Sequence, residues 1–339
     1  MRANLRTHRQ RAGGFSLVEL MVSLTIGLLL LTALATIFAN SSRMQREITL
    51  SSQQIENGRY AIDLVSEDVR HAGFWGYYGG SLTAPGAMPD PCALDAPSLT
   101  AAMALPIQGY NAPIATLPTC LPAANYLAGT DILVVRHASS LPAGALSGNG
   151  IYIQTNATNT LVAAGSGTFN LQVRNGTGTN VAAPIRAYET HIYFVSPCSV
   201  AAGGTCTATD DGGKPIPTLK RLELTLDGGG NLNMVTVPLV EGIENFQVDY
   251  GRDTDGDGAP DGAYVADPAT VANWMQVMAV QLYVLARNTD VSTGYNDSKT
   301  YQLGTAGTIT PTGGATQFRR HVYTSVVRVK NPSERLETP

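Results

Sequence analysis

The sequence predicts an α+β fold: a long N-terminal helix whose first half spans a membrane and whose second half packs on a mostly antiparallel β-sheet domain. Three observations predict it. An almost unbroken apolar run fills residues 15–39. An amphipathic stretch without Pro continues to about residue 71. Short alternating segments bounded by Gly, Asn and Asp then recur from residue 131 onward, as antiparallel strands do.

Composition points the same way. Charged residues are 14% of the chain, against roughly 25% in an average soluble domain, and Gly and Pro number 35 and 19. That mix fits an exported, loop-rich protein better than a cytosolic enzyme. The formal net charge is −4, and Arg2, Arg6, Arg9 and Arg11 fall in residues 1–14, which hold no acid. The rest of the chain carries 18 basic against 26 acidic residues, so no nucleic-acid partner is expected. The four cysteines, Cys92, Cys120, Cys198 and Cys206, make no CxxC, and the five histidines look scattered. In an oxidising compartment the cysteines would form two disulfides. Three connectivities are open, and nearest-neighbour pairing is the expectation.

The first element is the apolar helix from Phe15 to Ala39. At 1.5 Å per residue it reaches about 37 Å, enough for a hydrocarbon core of about 30 Å. The arginines before it keep the N-terminus in the cytoplasm and send the rest of the chain out. Glu19 breaks the apolar rule, at a cost on the order of a few kcal/mol in lipid unless it has a partner. One reading places it near enough to the interface to reach water.

The boundary reads Arg11-Ala12-Gly13-Gly14-Phe15-Ser16-Leu17-Val18-Glu19-Leu20. A GFSLVEL string after a short basic leader and before a long apolar helix resembles the signal of type IV pilins and type II secretion pseudopilins. The resemblance implies a prepilin peptidase that cuts between Gly14 and Phe15 and methylates the new amine. It makes Glu19 the fifth mature residue. The amine at Phe15 would then neutralise Glu19 of a neighbouring subunit, so both serve assembly; a charge that finds its partner only on assembly sets register. Two other readings are an ordinary signal peptide cut after Ala33-Leu34-Ala35 and an uncleaved signal anchor.

In the second half of the helix, residues 40–73, Ile48, Ile55, Ile62 and Val69 recur every seventh position with Val65 between the last two. This stripe is expected to lie on a sheet, or alternatively in a coiled coil with another chain. Residues 74–185 read as a loop-rich insertion with short strands. Their Pro-rich part, residues 76–130, reads as a surface feature stapled by Cys92 and Cys120. Residues 186–330 read as the β-rich domain and 331–339 as a tail. Strands are expected at 132–137, 151–154, 169–174, 190–195, 222–226, 232–237, 243–250, 276–286 and 318–329.

The stretch Gly242-Ile243-Glu244-Asn245-Phe246-Gln247-Val248-Asp249-Tyr250-Gly251, an acidic loop and then Trp274-Met275-Gln276-Val277 resemble PilW-type minor pilins and, more distantly, J-type minor pseudopilins. The likeness spans about residues 8–75 and 219–330 and implies a pilin-like fold. Many major pilins carry a Pro about 22 residues into the mature chain; Thr36 stands there in this chain. The family implies a minor pilin that enters or primes a type IV pilus, with other minor and major pilins as partners and twitching motility as the output. The protein would be single-pass in the inner membrane, with its C-terminal domain periplasmic, before it joins the fibre. The alternative is a J-type pseudopilin of a type II secretion system.

The acidic loop runs Asp253-Thr254-Asp255-Gly256-Asp257-Gly258-Ala259-Pro260-Asp261. Carboxylates from Asp253, Asp255, Asp257 and Asp261 with the Ala259 carbonyl would suit Ca²⁺. An EF-hand would want Glu at the twelfth position, where Tyr264 stands, so water or Asp267 would complete the shell. The competing reading is a solvated turn. No P-loop, HExxH, GxSxG or helix-opening GxGxxG occurs, so no enzyme activity and no catalytic residue is expected.

Overall fold

The computed structural model describes residues 14–337. Most of the basic leader expected at 1–14 therefore lies outside the described residues. Helix α1 (Leu17–His71) is one uninterrupted element of 55 residues. Contacts divide the chain after Leu50 into two units.

The first unit is the N-terminal part of α1. Its large apolar side chains from Phe15 to Phe38 are all exposed. Its hydroxyls turn inward: Ser23 donates to the Glu19 carbonyl (2.8 Å), Thr25 to Val22 (2.9 Å), Thr32 to Leu29 (2.9 Å) and Thr36 to Ala33 (2.8 Å). Each back-bond hides a polar group against the helix, as an apolar solvent demands.

The second unit begins at Ser51 and holds everything else. In chain order it contains α2 (Ala96–Ala102), β1 (Ile107–Tyr110), β2 (Ile132–Ala138), β3 (Ile151–Thr155), β4 (Thr160–Ala164), β5 (Gln172–Arg174), β6 (Asn180–Ala182) and β7 (Ile185–Ser196). Then come a helical turn α3 (Asp210–Gly213), β8 (Thr218–Leu226), β9 (Leu232–Glu241), β10 (Ile243–Arg252), β11 (Asp261–Val265), α4 (Val271–Met275) and β12 (Val277–Arg287). The chain closes with β13 (Tyr301–Gln302), β14 (Thr308–Ile309), β15 (Arg320–Arg328) and α5 (Lys330–Leu336).

The strands make an antiparallel seven-stranded sheet, a four-stranded one ordered β11-β10-β12-β15, and two two-stranded pairs, β5-β6 and β13-β14. Strand β7 organises the larger sheet: residues 185–187 pair with β3, 188–193 with β2 and 191–196 with β8. The last turns of α1 lie in a core shared by both sheets, with Ala61, Ile62, Val65, Val69 and Ala72 among Leu133, Val135, Tyr193, Phe246, Val280 and Val284. Full burial of an aliphatic side chain such as Val65 stabilises by roughly 1.5–3 kcal/mol. The opposite face of the larger sheet is buried too, under Trp75, Leu99 and Met103, against Ile132, Val134, Ile192 and Phe194. Burial on both faces explains why β2 reads as a nearly continuous apolar run.

Two expectations need correction. The stripe does not begin at residue 48: Ile48 and Ile55 are 60% and 43% exposed, and the buried face starts in earnest at Ala61. At Gly58 the ring of Tyr323 from β15 occupies the space a Cβ would fill, so the helix tolerates Gly there for close approach. The stretch 76–130 is not a surface feature either. Leu99, Met103, Leu105 and Ile107 are buried, and β1 and β2 join β7 in one sheet. Its Pro-rich loops hold apolar residues at irregular spacing, which periodicity does not detect. The segment expected as a tail forms α5. From it, Asn331 Nδ2 shares its two N–H groups among the carbonyls of Arg70 (3.4 Å), His71 (3.3 Å) and Ala72 (3.1 Å), capping the free end of α1.

Candidate functional site

The N-terminal segment is built from a helix that starts late. Gly14, Phe15 and Ser16 are non-helical, and α1 begins at Leu17. The Gly14–Phe15 bond therefore sits in open chain, with Phe15 85% exposed. Glu19 lies in the first turn of α1, where the helix dipole favours a negative charge. It is the only charged residue between Phe15 and Ala39. Its carboxylate meets no partner among the described residues. Among the described residues, α1 is the one helix long and apolar enough to cross a membrane.

The acidic loop connects β10 to β11. Asp253, Asp255 and Asp261 bring one carboxylate oxygen each to within 4.8 Å of one another. Asp257 is not in that group; it accepts from the Ala259 N–H at 2.7 Å. Asp267 is likewise engaged locally, accepting from Ala269 N–H at 2.8 Å. Asp253 is buried and accepts from Gly256 N–H (2.6 Å) and Gly258 N–H (2.8 Å). Asp261 accepts from the Thr254 N–H (2.8 Å) and hydroxyl (2.9 Å), and those bonds hold its carboxyl below the usual range. Gly258 has φ +83°, and its carbonyl accepts from Arg328 (3.1 Å) and from Ser333 of α5. The loop thus offers a hard three-oxygen cluster fixed to the C-terminal helix.

The cysteines pair as neighbours, Cys92–Cys120 and Cys198–Cys206. The first disulfide staples the loops that cover the outer core. Arg320 is buried, ion-pairs with Glu244 and lies 3.1 Å from Asp297.

Residues that sequence reading passed over also converge. Asp68 on α1, His137 on β2 and His191 on β7 form a second candidate ligand group, although their histidines look scattered in the chain. The only local signal was that each histidine shares a strand face with apolar residues.

Comparison with known families gives two matches. Residues 9–35 match the prokaryotic N-terminal methylation motif, across Gly14, Phe15 and Glu19. Residues 193–331 match the type IV pilus-assembly protein W family, from the end of β7 into α5. No curated protein and no solved structure matches. The two matches, at opposite ends of one chain, are those of a PilW-type pilin and indicate a type IV pilus minor pilin. Both families are structural and assembly families, and the methylation motif with a single apolar helix indicates a single-pass inner-membrane protein.

Proposed function

We propose that this chain assembles into, or primes, a type IV pilus after a prepilin peptidase cuts between Gly14 and Phe15 and methylates the new amine. The observation that carries this reading is the coincidence of three features at one place. The methylation motif matches residues 9–35, the Gly14–Phe15 bond precedes the first helical turn, and Glu19 has no partner for its carboxylate among the described residues. A carboxylate in an apolar surface needs a counter-charge from outside the chain. The amine at Phe15 of a neighbouring subunit would supply it, and the domain from Ser51 onward would supply contacts to other pilins on the periplasmic side.

The test is the mass and N-terminus of the mature protein from membranes and sheared pili, with and without the peptidase. A chain starting at methylated Phe15 in both fractions is expected; a chain still starting at Met1 in wild-type cells would refute the reading. A deletion strain should lose twitching while secretion stays intact.

Calcium at the acidic loop is part of the same proposal. Asp253, Asp255 and Asp261 offer the oxygen ligands that Ca²⁺ prefers, and binding there would pin the β10–β11 connection to α5. Millimolar Ca²⁺ should raise Tm and release heat in calorimetry; no change in either would remove calcium from the proposal.

A further inference from the structure

We propose that Asp68, His137 and His191 form a site for one divalent transition-metal ion of the zinc type, which ties the last turn of the long helix to the larger sheet. The three ligands come from three elements. Asp68 projects from α1, His137 is the penultimate residue of β2 and His191 lies in β7, where it pairs with Val135 of β2. His137 Nε2 lies 2.8 Å from Asp68 Oδ1, and His191 Nδ1 lies 2.9 Å from Asp68 Oδ2. All three ligand atoms fall within 4.8 Å of one another. Their side chains retain only 9%, 7% and 12% of their exposure.

The surroundings of His137 are what point to an ion. Its Nδ1 is 3.0 Å from the Ala138 carbonyl and 3.4 Å from a Glu189 carboxylate oxygen. Its Nε2 faces the Asp68 carboxylate. Every neighbour of either ring nitrogen is thus an acceptor, and a neutral imidazole has only one N–H to give. With that N–H on Nδ1, the Nε2 lone pair is aimed at a carboxylate, an arrangement that a cation shared by the two groups resolves, a proton in the empty site and the metal ion when it is bound. A ligating histidine with its second nitrogen on a carbonyl or carboxylate is the usual outer support of a metal site. The carboxylate is steadied in turn: the Tyr193 hydroxyl donates to Asp68 Oδ2 at 2.8 Å, and Arg221 donates to that hydroxyl at 3.2 Å.

The donor set names the class of ion. Two imidazoles and a carboxylate suit zinc and its neighbours in the divalent series, and are poor ligands for Ca²⁺ or Mg²⁺. A tetrahedral ion with ligand bonds of about 2.0–2.1 Å separates its ligands by about 3.3 Å, so the pocket would open by a few tenths of an ångström. A solvent-connected cavity of about 300 Å³, lined by Glu189, His191 and Glu223, provides access and further carboxylates. All three ligands lie outside the stretches matched by the two families, residues 9–35 and 193–331.

The test uses the full mature chain in detergent, purified without a histidine tag and stripped with a chelator. Titration with Zn²⁺ should show one equivalent bound and a Tm raised by several degrees. His191→Ala should weaken that binding by at least the roughly 10–100-fold that even an outer-shell loss costs. X-ray absorption of the zinc-loaded wild type, which needs no variant to fold, should show two imidazole ligands. Absence of zinc binding, unchanged affinity in His191→Ala, or an oxygen-only shell would each overturn the proposal.

Discussion

Helix α1 carries two carboxylates in apolar settings, one at each end, and they are provided for differently. Asp68 is buried and is met by His137, His191 and Tyr193 at 2.8–3.0 Å. Burial alone would raise its carboxyl; the His191 charge and the bonds from both histidines outweigh that and hold it well below the usual carboxylate range. Glu19 stands on an exposed apolar surface with no side-chain partner among the described residues. A carboxylate met by donors of its own chain closes a domain, whereas one on an apolar surface without a partner is costly in lipid until it finds a counter-charge.

Exchanging each group for an apolar one should separate the two roles. Glu19→Val should remove the chain from sheared pili at least tenfold while it accumulates in the membrane, with the Tm of its folded domain unchanged. Equal amounts in pili would break the comparison. Asp68→Ala leaves two histidines and a tyrosine buried around a missing acceptor. It should cost about 3–5 kcal/mol in denaturant unfolding, the range for breaking one side of a buried charged network. A loss below 1 kcal/mol would mean that Asp68 is not the closing group. Removing the Cys92–Cys120 staple by Cys120→Ala should cost about 3 kcal/mol, because the disulfide closes a loop of separation 28.

A third carboxylate sharpens the contrast. Asp131 accepts from Ala112 N–H (2.8 Å) and Val248 N–H (2.9 Å) but has no cation beside it among the described residues. Burial pushes its carboxyl up to about 7, against the pull of those two bonds, with Asp249 adding to the rise. Between the ordinary carboxylate value and about 7 the folded state binds the extra proton, so this group makes stability fall as pH rises through that window and has no further effect above it. The slope is at most about 1.4 kcal/mol per pH unit. Asp131→Asn should lose the slope and keep only a constant offset from the lost acceptor. Parallel pH profiles for variant and wild type between pH 4 and 7 would contradict this.

What could be read in advance divides by distance along the chain. The long apolar helix, the methylation motif at its start, most strands and the acidic loop are patterns within about ten to thirty residues, and all were legible. Even there, Asp257 fitted the calcium spacing and yet turns to Ala259, because side-chain direction is not set by spacing. The second core was not legible: Leu99 sits in the short helix α2, and Met103 and Leu121 in the Pro-rich stretch around it, with no sustained period. The Asp68 cluster was out of reach for a different reason. Its members are 69 and 123 residues apart, and only the β2–β7 register and the docking of α1 bring them together.

Asn331 closes the last turn of α1 across 259 to 261 residues. Strand β15, which completes the smaller sheet, is also among the last segments of the chain. For a polypeptide delivered N-terminus first, this makes closure a terminal event: the anchor is in place while the cap for its helix has yet to be synthesised. Contacts of such long range slow folding. A chain ended before Asn331 would therefore leave the last carbonyls of α1 without that cap, however well the rest of it had folded.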